Sequence, residues 1–152
     1  MNNNRQLAVA ISIAAGVHSD QFDQGGKPYI LHPLHLMNQL LFDTELATIA
    51  VLHDVVEDSE LTLNYFTHFG FNKRVIDALE LLTHKESDSY EEYIEKIATN
   101  IDAIRVKRKD LEHNSCITRL KGIRVKDLER VTKYHKAFER LGAAKKELLA
   151  AY

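Results

Sequence analysis

Residues 32 to 60 read HPLHLMNQLLFDTELATIAVLHDVVEDSE, and their pattern decides the fold class. Leu34, Met37, Leu40 and Leu41 recur at helical spacing behind Pro33, a residue that suits the first turn of a helix. Thr44 with Glu45 can start a second helix, whose apolar positions Leu46, Ile49, Ala50 and Leu52 run directly into His53. The stretch then ends in HDVVEDSE, which crowds an imidazole and several carboxylates beside that apolar run. Charges of one sign repel when crowded. Such a segment is either well solvated or built to hold something positive.

The same period continues on both sides. LAVAISIAAGV, residues 7–17, follows Arg5 and could pass for a signal-peptide core, but it is too short to span a bilayer and reads better as a first core helix. Two of the six glycines and both prolines fall in DQGGKPYILHP, residues 23–33, the one substantial loop. Thr62 caps LNYFTHF, which stops at Gly70, and Asn72 opens KRVIDALELLTHK with Val75, Ile76, Leu79 and Leu82 inward. After ESDS, a helix carries Tyr90, Tyr93, Ile94 and Ile97. Asn100 or Asp102 begins another through Ile104, Lys107 and Leu111. The last long helix runs from about Lys126 with Leu128, Val131, Phe138 and Leu141 facing in. No strand alternation of useful length and no internal repeat is present. The expected class is all-α, a bundle of about seven or eight helices, with residues 1–152 as one domain.

Composition narrows the function. Lys+Arg 20 against Asp+Glu 22 gives a net charge of -2, so no global field draws the chain to nucleic acid or to a membrane. The basic runs IRVKRKD and TRLKGIRVK, with Arg105, Arg108, Lys109, Arg119, Lys121, Arg124 and Lys126, lack interleaved aromatics and read as a solvated face. The single cysteine, Cys116, sits in a helix-like stretch with no partner for an internal disulfide. It reads as an ordinary thiol in a reducing cytoplasm.

On a helix, residues four apart share a face, so His53 would stack with Glu57 and Asp54 with Asp58. A solvated helix end tolerates that run, and so does a cation site. KDLEHN puts Asp110 and Asn114 four apart on a further helical face, with His113 beside them, and His32 lies in the Gly/Pro loop where the X-Pro junction fixes its direction. His32, His53, Asp54 and Asp110 together offer two nitrogens and two carboxylates. That set suits manganese or another borderline divalent ion better than calcium or a structural zinc.

HPLHL, VLHDVVEDSE and KRKDLEHN, in this order and at these separations, resemble the HD-domain phosphohydrolases, specifically the RelA/SpoT-type hydrolases and their single-domain small alarmone hydrolase relatives. His18, Gln21, Gly26, Pro28, Tyr29 and Ile30 match the family's first loop, Phe69 and Gly70 a later helix end, and TRL with ERVTKYHKAFERL its C-terminal part, so the likeness runs from about residue 5 to 141. The resemblance implies an HD bundle with a metal site at its centre, in which His32, His53, Asp54 and Asp110 hold a manganese ion. It implies that Glu57 and Asp58 position or deprotonate the attacking water and that Asn114 contacts the nucleotide. Tyr29, Lys27, Lys107 and His18 would line the substrate side, Lys107 reaching a phosphate or bracing a metal ligand. The implied reaction is removal of the 3′-pyrophosphate from guanosine tetra- and pentaphosphate. The only partner it implies is this small nucleotide.

The chain departs from the pattern at one position. In the nearest alarmone hydrolases the loop before PYIxHP carries an arginine that stacks on guanine, and here Asp23 stands in that place. The alternatives are therefore an HD-type hydrolase of another nucleotide, such as NADPH or an adenine alarmone, and a module that senses a nucleotide without cleaving it. A sensor has no need of both Glu57 and Asp58. His35, His68, His84 and His135 read as structural or surface residues, His35 on the face of its own helix, while Tyr90, Tyr93 and Tyr134 read as core and rim. The stripe of the last helix can pack on its own domain or on a second copy in a homodimer.

Overall fold

The computed structural model describes residues 1–152. It contains eight α-helices, α1 (Asn3–Val17), α2 (Leu31–Gln39), α3 (Thr44–Leu52), α4 (Leu63–Phe69), α5 (Lys73–Leu82), α6 (Tyr90–Ile97), α7 (Ile101–Asn114) and α8 (Val125–Ala150), with one 3₁₀ turn over Ile117–Arg119. The only strand-like feature is an isolated bridge between Phe22 and Pro28 in the Gly/Pro loop. Helix α1 is a core helix. No helix of the protein is long and apolar enough to cross a membrane.

The caps account for most of the helix starts. Thr62, Asn72, Ser89 and Asn100 each accept a backbone N–H of the following turn, and Ser89 with Glu92 forms a capping box. Gly70 ends α4 at φ 98°, a left-handed conformation that glycine adopts without strain. Helix α3 starts at Thr44, as the sequence suggests, and its cap is Asp43, whose carboxylate accepts the N–H groups of Glu45 and Leu46.

Helix α3 is the centre of the molecule. Leu46 through Leu52 are all buried, because α1, α2, α5 and α7 pack around it. A helix hydrophobic on every side belongs in a core, and this one carries His53 at its C-terminal end. Opposite that end, Arg74 of α5 ties the start of α3 to α7 through 2.7 Å to Asp43, 2.8 Å to Glu45 and 2.8 Å to Asp102. Helices α7 and α8 pack along each other through Ala137, Leu141 and Ala144, with the Arg108 guanidinium over the Phe138 ring at 4.0 Å. A Cβ on Gly142 would come within 3.3 Å of that guanidinium, so a small residue lets the two helices approach. Arg108 therefore leaves the solvated face expected for the basic run. Leu128 is also corrected: it is exposed, and the apolar residues of α8 that pack on the core begin at Tyr134.

Replacing Arg74 by methionine strands three carboxylates at one junction and should lower stability by about 2 kcal/mol at pH 7, read from urea denaturation. Burial works against the Asp43 charge, but the hydrogen bonds from Arg74, Leu46 and Glu45 outweigh it and hold the carboxyl below its ordinary value. A depressed folded pKa stabilises above the unfolded pKa of about 4 and fades as pH falls through the folded one. The gap between wild type and variant should accordingly narrow below pH 4.

Candidate metal centre and adjoining cleft

Three elements deliver the cluster. His32 comes from the first turn of α2, His53 from the C-terminal end of α3, and Asp110 from the third turn of α7. All three are buried, and one ligand atom from each lies within 4.8 Å of the others. His32 Nε2 is 2.9 Å and His53 Nε2 3.5 Å from Asp110 Oδ1. Asp54 stands to one side, its Oδ2 3.0 Å from His53 Nε2 and accepting the Tyr29 hydroxyl. His32 thus belongs to a helix, where a loop position was expected, because the turn at Ile30 closes the helix ahead of Pro33.

Hydrogen bonding sets the chemistry of these rings. His53 Nδ1 lies 2.8 Å from the Ala50 carbonyl, which can only accept, so this nitrogen carries the proton. In the neutral ring Nε2 is then a bare lone pair, buried, without a hydrogen-bond partner and facing two carboxylates. Lone pair against anion is repulsive unless a positive charge lies between them, and two nitrogens with two carboxylates are donors that a borderline divalent ion accepts. The residues present fit such an ion. The same demand appears in the titration: burial pushes the His53 imidazole down, yet Asp54 and Asp110 outweigh it and raise it well above its ordinary value. Burial would raise the Asp54 carboxyl, but the facing His53 pulls it down to about 2.

Asp110 is the most heavily coordinated group. Its Oδ1 accepts Asn114 Nδ2 at 2.8 Å and its Oδ2 the Lys107 ammonium at 2.8 Å. Burial penalises this charge, and Lys107 with the two imidazoles holds the carboxyl well below its usual range all the same. Of the two roles open to Lys107, its position favours the brace: the ammonium is buried, on Asp110 and 5.2 Å from the Tyr93 ring centre.

Glu57 and Asp58 do not sit on a continuing helix. Beyond Leu52 the chain runs in turns, and only the Asp58 N–H to Asp54 carbonyl bond, 3.0 Å, keeps a four-residue spacing. The stacking of His53 with Glu57 on one helical face is therefore corrected. The turns leave both carboxylates accessible: Glu57 accepts the backbone N–H of His84, and Asp58 lies 3.8 Å from His18. Partial burial raises both, with the Asp54 charge adding to it. His18 is buried, donates from Nδ1 to the Gln21 side-chain carbonyl at 2.8 Å and packs on Tyr29 with ring centres 5.0 Å apart.

A cleft of about 290 Å³ adjoins the cluster, lined by Phe22, Asp23, Tyr29, Asn114, Arg119, Arg130 and Tyr134 among others. Tyr29 and Asn114 join it to the buried carboxylates. Arg119, read from sequence as solvated, instead donates 2.9 Å to the His113 carbonyl and reaches Asp23 at 3.5 Å. The loop touches the 3₁₀ turn so closely that a Cβ on Gly25 would fall 2.4 Å from the Arg119 carbonyl oxygen. Arg130 went unread, although its spacing of four from Tyr134 puts both on one face of α8. Lys27 is exposed and does not line the cleft. Cys116 is exposed at the start of the 3₁₀ turn rather than helical. His35 bonds to Gln39 on its own helix at 2.7 Å, and its ring also stacks on His113 of α7, 4.0 Å between centres.

No family model matches the chain. Among curated proteins it is 31% identical over 115 residues to guanosine-3′,5′-bis(diphosphate) 3′-pyrophosphohydrolase of Haemophilus influenzae, covering 67% of this chain and 17% of that protein. It is 28% identical over 124 residues to the bifunctional (p)ppGpp synthase/hydrolase SpoT of Escherichia coli, covering 72% and 18%. The chain thus spans less than a fifth of the length of these relatives. A solved structure described as a metazoan ortholog of SpoT that hydrolyzes ppGpp superposes with a TM-score of 0.74 at 20% identity, covering 96% of this chain and 94% of that one, which establishes a shared fold.

Removing the brace tests the electrostatics directly. Lys107→Met leaves Asp110 buried without its cation and should cost about 3 kcal/mol of stability in chelator-treated protein, measured by chemical denaturation at pH 7.

Proposed function

Because this chain belongs to the RelA/SpoT-type family of HD-domain metal-dependent phosphohydrolases, we propose that it is a nucleotide pyrophosphohydrolase that removes the 3′-pyrophosphate of guanosine tetra- or pentaphosphate in the cytoplasm. The observation that carries this reading is the buried His53 Nε2, without a hydrogen-bond partner and opposed to two carboxylates, beside a cleft lined by two guanidinium groups. The names of the relatives support the same substrate class.

His32, His53, Asp54 and Asp110 would hold the ion, manganese by their mix of nitrogen and oxygen donors. When bound, a divalent ion supplies Lewis acidity toward a phosphoryl oxygen and toward water. The rest falls to the chain. Lys107 and Asn114 keep Asp110 ionised and oriented, so that the cluster retains its negative charge in a buried place. Glu57 and Asp58 accept the proton of the attacking water, and their upward displacement brings them nearer to neutral pH, where a base works best. The Glu57 carboxylate is oriented for that task by the His84 N–H. Arg119 and Arg130 offer positive charge to phosphate groups, and Tyr29, Tyr134 and Phe22 offer faces to a base or ribose.

A second reading has one observation in its favour. Asp23, paired with Arg119, occupies the loop position where the nearest alarmone hydrolases carry a stacking arginine, so another nucleotide, NADPH or an adenine alarmone, is the competing substrate.

Incubating the protein with manganese and a panel of guanosine tetraphosphate, pentaphosphate, adenine alarmones and NADPH separates the two. Pyrophosphate release from the guanosine compounds is expected. Turnover of another member alone would transfer the assignment to it, and turnover of none would end it. The Glu57→Gln, Asp58→Asn double variant should lose at least a hundredfold in kcat while manganese binding stays within a few-fold of wild type. His53→Ala should lose the ion as well.

A further inference from the structure

His32 enters the cluster through Nε2, and its other ring nitrogen, Nδ1, lies 2.7 Å from Nδ1 of His113. The two ring planes are within 6° of parallel and their centres are 5.0 Å apart. Nitrogens this close, with centres this far apart, belong to rings lying end to end in nearly one plane. That is the geometry of an in-line N–H···N hydrogen bond, not of a face-to-face stack. His113 is held from its flat side by His35, whose ring lies 4.0 Å away at 18°, and His35 Nε2 is bonded to the Gln39 amide nitrogen at 2.7 Å. His32 and His35 belong to α2, so the α7 ring is seated between two rings of a neighbouring helix. The His113 carbonyl in turn takes the Arg119 guanidinium.

A neutral imidazole pair joined Nδ1 to Nδ1 shares one proton, and two arrangements are available. In one, His113 donates to His32, and His32 carries its own proton on Nε2, toward Asp110. In the other, His32 donates from Nδ1, His113 accepts and keeps its proton on Nε2, and His32 Nε2 is bare. Both hold the same number of protons. Only the second lets His32 serve as a ligand.

We propose that His113 is a positioning residue for the metal centre: its Nδ1 accepts the Nδ1 proton of His32, which bares His32 Nε2 and aims it at the ion, while His35 and Gln39 hold the His113 ring in that plane. The assignment rests on the metal-centre reading of the preceding subsection. Histidine ligands usually donate to a carboxylate, a carbonyl or water. Here the acceptor is a second imidazole, which can itself change partner as the ion enters.

The experiment is manganese binding followed by electron paramagnetic resonance of the free ion, on wild type, His113→Ala, His113→Gln and His35→Ala, each checked for its helical circular dichroism. His113→Ala should weaken binding about 10- to 100-fold, His113→Gln, which restores a carbonyl acceptor, should regain most of it, and His35→Ala should lose a few-fold. In ¹⁵N-histidine-labelled, zinc-loaded wild type, His32 should be protonated on Nδ1 and metal-bound through Nε2. This arm decides the matter even if the alanine variant fails to fold. Manganese binding to His113→Ala as tight as to wild type, or a zinc-loaded His32 protonated on Nε2, would overturn this proposal while leaving the metal centre standing. Wild type that takes up neither ion would overturn both.

Discussion

A carboxylate as deeply buried as Asp110 cannot stay ionised unless positive charge and donors surround it, and the bundle is arranged around that requirement. Lys107 comes from the same helix one turn earlier, Asn114 from one turn later, His32 from α2 and His53 from α3. Even so, the balance is incomplete. Asp54 adds a second carboxylate that faces the same His53 nitrogen as Asp110 does, and that nitrogen, Nε2, has no hydrogen-bond partner. A site left short of positive charge, but with its geometry held by packing, is what a cation-binding centre requires.

That geometry depends on α3. Because the helix is buried all round, its end cannot shift without disturbing α1, α2, α5 and α7 together, and His53 inherits this rigidity. The far end is clamped by Asp43 and Arg74. The C-terminal end of any helix carries partial negative charge from its free carbonyls, which favours a cation beside it, and His53 and Asp54 stand at that end. Stability and chemistry are thus joined in one element: the core holds α3, and α3 holds the centre. The turns that follow release the chain from the helix soon enough for Glu57 and Asp58 to reach solvent.

The cleft follows a different principle from the metal centre. The centre is made of buried helix ends, whereas the cleft is made of the 22–28 loop, the 3₁₀ turn and the start of α8, whose side chains are largely exposed. Its charges are paired, Asp23 with Arg119 across the gap and Arg130 with Asp127 one turn back on the same helix, so the positive groups are held in place before any anion arrives. Asp23 also accepts the Lys27 N–H and so shapes its own loop. The cation that faces this aspartate stands across the cleft, on Arg119.

Much of this was legible in the sequence. Helical period, caps at Thr62, Asn72, Ser89 and Asn100, and the stop at Gly70 are local signals, set by hydrogen bonds within one turn, and they hold in the structure. The spacing of His53, Asp54 and Asp110 from their apolar neighbours likewise marked them out before any fold was known. What the sequence could not contain were relations between turns far apart along the chain. Leu128 has the right period to face inward but is exposed, and only packing decides that. Arg119 looks like one of many surface cations until the loop folds against it, and His35 and His113 look like unrelated histidines until α2 and α7 lie side by side. The amino-acid order alone determined an all-helical chain with ligand-type residues at helix ends, because backbone and side-chain preferences act over a few residues. Which imidazole faces which, and which guanidinium meets the cleft, was decided by tertiary contact, because those distances depend on how whole helices pack.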